Sequence, residues 1–142
     1  MYLFDTDILS AVAKKRRPEG LMEKLAGLPR AAQFTSAVNV AEIHFGIRLM
    51  EGRGEMKADR AEGLLRFFEE EIFARLTILP FDRESAVVYG RLKAALEQKG
   101  RPRFEPDLQI ASIAVHHGLA IVTGNVRHFG GIPGLKVENW SQ

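Results

Sequence analysis

The sequence has no cysteine. That excludes disulfides and zinc–thiolate sites, and it fits a cytoplasmic protein. No apolar run is long enough to cross a bilayer, so no membrane partner is expected. The first residues already read as a strand, so no signal peptide is expected either. There is no internal repeat and no low-complexity tract. Neither sign of charge dominates, since 20 Lys and Arg stand against 18 Asp and Glu for a net charge of +2. A pI near 9.1 permits a nucleic-acid partner without arguing for one. What is present is 142 residues, 46% hydrophobic and 27% charged. That suits one core and a single domain over 1–142.

Strands and helices alternate along the chain. Residues 1–4 form an apolar run that stops at Asp5, as a buried strand ending in an acid would. Ile8, Leu9 and Val12 then recur at helical spacing over 6–14. The basic run 14–17, closed by Pro18, reads as a solvated helix end or as a phosphate contact. Residues 19–28 read as a short helix with Leu21, Met22, Leu25 and Leu28 inward. Residues 33–36 are a second strand, and Ser36 caps a helix over 37–51. In that helix Glu42 shares a stripe with Val38, Phe45 and Leu49, which points it towards the interior or its edge. A carboxylate placed there needs a partner or a metal.

Residues 58–75 read as one longer helix and 76–80 as a third strand. Asp82 caps a helix over 83–98, whose inner face uses Ala86, Val87, Tyr89, Leu92 and Leu96. The basic loop 99–105 leads to Pro106, which favours a first helical position and puts Asp107 in the first turn of a helix ending at Gly118. Residues 119–122 are an almost wholly apolar fourth strand that runs into Thr123-Gly124-Asn125, and 135–138 are an edge strand. The order predicts an α/β fold, a three-layer α/β/α sandwich around a mainly parallel sheet.

Asp5 and Asn125 fall just past the ends of two apolar strands, where open parallel sheets bind ligands. Glu42 and Asp107 fall on inward helix faces. Each has a structural explanation: Asp5 as an N-cap, Asp107 as complement to a helix dipole, Glu42 as partner of an internal Arg. Four such groups converging on one edge suit a shared task, holding a hard divalent cation such as Mg²⁺.

The stretches 3–10, 36–47, 78–82, 106–111 and 123–129, in this order, resemble a PIN-domain ribonuclease of the VapC toxin type. The resemblance covers nearly the whole chain. It implies a PIN-like fold and an acidic triad at Asp5, Glu42 and Asp107, with Asn125 at a fourth position that is often Asp. It implies polar site-shaping positions at Thr6, Ser36 and Thr123, and an extra acid at Glu105. Asp7 stands where Asn is more usual, which would add charge near the metal. The implied reaction is hydrolysis of RNA phosphodiesters with Mg²⁺ or Mn²⁺. Asp5 and Asp107 would hold the ion most directly, and Glu42 and Asn125 would position waters or a second ion. Arg101, Arg103 and Arg127 are candidates for phosphate contacts. The resemblance further implies a homodimer and a co-expressed antitoxin that holds the toxin inactive.

Two other readings are open at this point. Asp5-Thr6-Asp7 after a first strand also looks like the Asp-x-Asp motif of a haloacid-dehalogenase-type phosphatase with Asp5 as nucleophile. A non-catalytic RNA- or protein-binding module could keep the same fold.

Overall fold

In the computed structural model, residues 1–14 and 17–140 are described. Lys15 and Arg16, the middle of the basic run, lie outside them. Five strands form one sheet: β1 (Tyr2–Phe4), β2 (Gln33–Ser36), β3 (Thr77–Leu79), β4 (Ala120–Val122) and β5 (Lys136–Glu138). The order is β3-β2-β1-β4-β5, and every neighbouring pair is parallel. Among the described residues seven α-helices connect them: α1 (Thr6–Ala13), α2 (Glu19–Ala26), α3 (Ala37–Gly52), α4 (Ala58–Phe67), α5 (Arg83–Gln98), α6 (Glu105–His117) and α7 (Val126–Phe129).

Alternation along the central strands creates the layers. Leu3 and Ile121 point into one core, together with Leu92 and Leu96 of α5 and Leu108, Ile110 and Ile113 of α6. Phe4 and Val122 point into the other, against Ile8 and Leu9 of α1, Leu21 of α2, Ile43 and Ile47 of α3, Leu65 of α4 and Trp140. A strand buried on both faces reads as continuously apolar, as Leu3-Phe4 and Ala120-Ile121-Val122 do. The outer strands β3 and β5 are half exposed.

Chain direction places the site. From β1 the chain moves outward to β2 and β3, and from β4 it moves to β5 on the other side. The connections therefore diverge between β1 and β4, and a crevice opens at the carboxyl ends of these two strands. Asp5 follows β1 directly and Thr123 follows β4 directly. The register pairs Phe4 with Val122, which sets Asp5 and Thr123 side by side.

Three expectations are corrected. Residues 58–75 are not one helix: α4 stops at Phe67, a π turn covers Phe68–Ile72, and a 3₁₀ turn covers Phe73–Arg75. In α5, Ala86 and Val87 face outward, and Ser85, Val88, Tyr89, Leu92 and Leu96 make the inner side. In α3 the buried face is Asn39, Ile43 and Ile47, while Phe45 is 67% exposed and Leu49 is also exposed. The apolar stripe attributed to Glu42 therefore runs out to the surface, and Glu42 stands at the boundary.

Candidate active site

Asp5 occupies the N-cap position of α1, yet its side chain makes no cap bond. Each carboxylate oxygen instead accepts from a donor on a different element. Asn39 Nδ2 reaches Oδ1 at 3.1 Å, and the Thr123 hydroxyl reaches Oδ2 at 2.8 Å. Asn39 is wholly buried in the first turn of α3, where it forms a capping box with Ser36. Its N–H donates to the Ser36 hydroxyl at 3.1 Å, and its Oδ1 accepts from that hydroxyl at 2.6 Å. Ser36 thus fixes Asn39, and Asn39 fixes Asp5. The amide of Asn39 also donates to Thr6 Oγ1 at 3.1 Å, and the Thr6 hydroxyl donates to Glu42 Oε1 at 2.7 Å. One chain of hydrogen bonds therefore links β1, α1 and α3.

Burial pushes the Asp5 carboxyl up to about 6, and the charges of Asp7 and Glu42 act in the same direction. The Thr123 hydroxyl and the Thr6 N–H pull against them. Asp107, nearly buried in the first turn of α6, is raised as well, again chiefly by burial. His128 opposes that shift and Glu42 adds to it. The His128 Nδ1 lies 3.4 Å from Asp107 Oδ2. The charge of Glu42 thus bears on both Asp5 and Asp107. The donor atoms of the three acids do not all lie within 4.8 Å of one another, so Glu42 is linked to Asp5 and Asp107 by charge rather than by contact.

Their chemistry fits a divalent cation. All three offer hard oxygen donors, two carry raised pKa values, and no Arg or Lys is hydrogen-bonded to any of them among the described residues. Mg²⁺ retains several waters, so direct contact from one or two carboxylates suffices.

The remaining expected residues divide. Thr6, Ser36 and Thr123 belong to the network just described. Asn125 lies at the same edge with its N–H donating to Thr123 Oγ1 at 3.0 Å, but its side chain is exposed and bonds to none of the acids among the described residues. Arg127 is exposed and shares a cavity with Asp107. Arg101 is exposed on its loop. Arg103 is already engaged: its guanidinium donates to Arg101 O at 2.8 Å and to Gly130 O at 2.6 Å, so it clamps two loops together.

Asp7 brings its charge to bear on Asp5 and has partners of its own. Its carboxylate accepts from the Gly124 N–H at 2.8 Å and from the Thr123 hydroxyl at 3.3 Å, which holds the turn after β4. Glu105 is likewise occupied, by the Tyr89 hydroxyl and by Lys93 Nζ at 2.7 Å. Asn39 was missed as a site residue. Its spacing from Ser36 was the available signal, since Asn three residues after a capping Ser can close a box.

A separate group lies elsewhere. Asp82, His116 and His117 have donor atoms within 4.8 Å of one another, the only such trio among the described residues. Asp82 caps α5 by accepting the Ser85 N–H at 2.9 Å, and that bond holds its carboxyl below the usual range. It shares no residue with the crevice.

The family model described as PIN domain matches residues 2–132. Ribonuclease VapC2 of Haemophilus influenzae is 31% identical over 139 residues, 98% of this chain and 97% of its own length. The tRNA(fMet)-specific endonuclease VapC of Salmonella typhimurium is 29% identical over 126 residues, covering 89% of this chain and 88% of its own. The crystal structure of DNA-bound VapBC from Salmonella typhimurium superposes with a TM-score of 0.82 at 31% identity, over 98% of this chain and 97% of that one.

Proposed function

Because the chain belongs to the PIN-domain family, among its VapC ribonucleases, we propose that it is a metal-dependent endoribonuclease and the toxin of a type II toxin–antitoxin pair. The observation that carries the reading is the placement of Asp5. It is a buried carboxylate at the divergence of β1 and β4, held on both oxygens by Asn39 and Thr123, and the charge of Glu42 bears both on it and on Asp107.

PIN ribonucleases depend on divalent metals as a class. Here Asp5 and Asp107 would hold Mg²⁺ or Mn²⁺, with Glu42 and Asn125 around it. When bound, the ion supplies Lewis acidity towards the attacking water and the phosphate oxygens. The protein's own part is orientation. Asn39 and Thr123 fix the Asp5 carboxylate, Thr6 fixes Glu42, and Asp7 holds the turn that carries Asn125. Arg127 offers a cation to the RNA backbone from the cavity wall. The substrate is RNA, and a cognate antitoxin restrains the enzyme. The exposed strip of Phe45, Leu49 and Met50 on α3 suits association of two copies.

The phosphatase alternative loses its acid/base, because both oxygens of Asp7 accept from the β4 turn. Purified protein incubated with structured RNA tests the proposal. Cleavage in Mg²⁺, its loss in EDTA and its loss in Asp5→Asn are expected. A fully active Asp5→Asn protein in EDTA contradicts it.

A further inference from the structure

We propose that the cavity beside Asp107 is a nucleobase subsite, in which the Phe104 ring is the stacking platform for one unpaired base of the RNA. The inference rests on the ribonuclease reading. The cavity measures about 510 Å³ and is lined by Pro102, Arg103, Phe104, Asp107, Arg127 and His128. An exposed phenyl by itself means little. Phe104, however, is 68% exposed within the same cavity as a carboxylate of the acid cluster and two guanidinium groups. An aromatic face, cations for the backbone and the acid cluster are what a single-stranded substrate needs in one place.

The platform is fixed before any ligand arrives. Phe104 is the N-cap residue of α6, and its carbonyl accepts the Leu108 N–H at 3.1 Å. The preceding loop is tied down by Arg103, whose guanidinium bonds to Arg101 O and Gly130 O. The ring therefore stands on anchored backbone, three residues before Asp107, and little ordering remains for binding to impose. Arg127 and His128 line the same cavity from α7. No hydrogen bond holds the Arg127 side chain among the described residues, so its guanidinium is available to the phosphate next to the stacked base. A base already paired in a duplex is stacked on its neighbours and cannot use this ring, so the subsite selects unpaired nucleotides near the cut.

Fluorescence on the full-length protein tests this. The probe is a defined single-stranded RNA, alone or annealed to its complement, in EDTA so that nothing is cut. Phe104→Trp adds an exposed indole, while Trp140, the chain's own, is buried and supplies a constant background measured in the wild type. Quenching of the added fluorescence by the single strand, with a much weaker response to the duplex, is expected. Phe104→Ala is expected to weaken single-strand binding roughly tenfold or more, with Phe104→Tyr close to wild type. In cleavage assays with Mg²⁺ the Ala variant raises KM and leaves kcat nearly unchanged. No quenching, equal quenching by duplex, or wild-type affinity in Phe104→Ala overturns the subsite. A wild type that cuts no RNA overturns the nuclease reading instead, and the binding result is still read on its own. The ring is on the surface, so the variants keep the wild-type melting temperature.

Discussion

At the scale of the residue, Asp5 carries a cost that the metal-free protein cannot relieve. Its carboxyl titrates near 6 in the folded state, against 3.8 for an ordinary Asp. Between those values the folded protein holds more protons than the unfolded chain, so stability falls as pH rises from about 4 through 6 and stays low above that. The shift corresponds to on the order of 3 kcal/mol for this buried group, and Asp107 adds in the same direction. In EDTA the protein should therefore melt at a higher temperature at pH 5 than at pH 8. Asp5→Asn should raise the pH 8 value and flatten the difference. Identical melting at both pH values, in wild type and variant alike, would show that Asp5 is not strained. Asn39→Ala removes donors to both Asp5 and Thr6, and should lower cleavage roughly 10–100-fold. Steady-state rates on one RNA check this, and an unchanged rate would leave Asn39 with a capping role alone. Asp5 and Asp107 were legible in the sequence because one follows an apolar strand and the other opens a helix, whereas Glu42 was marked by a stripe that runs out to the surface. Asn39 and Asp7 were not, because their roles consist of partners 34 and 117 residues away, Asp5 and Gly124.

At the scale of the element, propensity and caps decided most boundaries. Ser36 and Asp82 start α3 and α5 with side-chain caps, and Gly118 ends α6 in the left-handed region at φ 67°. A Cβ at Gly118 would meet nothing within 4 Å, so its cost is backbone strain alone. Gly118→Ala should destabilise by about 1–2 kcal/mol without altering RNA affinity, as denaturant melts would show. The break in α4 was not legible. Leu65, Phe68 and Ile72 keep helical spacing in the sequence, but a π turn is needed to bring Phe73 onto the same core as well. The inner face of α5 was misjudged because Ala and Val at 86 and 87 look inward by composition, while the buried Ser85 does not.

At the scale of the whole molecule, strand order does the assembling. The turn away from β1 in one direction and from β4 in the other opens the crevice, and the acids arrive there from β1, α3 and α6. Alternating strands and helices made the parallel sheet legible, but strand order is set by crossovers that no local pattern records. The proposed self-association is tested at the exposed strip of α3. Phe45→Glu should leave the fold intact and shift the sedimenting mass from dimer to monomer, whereas a mass equal to the wild type's would place the contact elsewhere. The central claim is that this crevice grips a divalent cation. Mg²⁺ is the suitable probe, because the imidazoles of His116 and His117 are poor partners for it. Calorimetric titration of Mg²⁺ into the wild type and into a folded Asp5→Asn, Asp107→Asn double variant measures the claim directly. Saturable binding in the wild type and none in the variant is predicted; equal affinity in both would contradict the account.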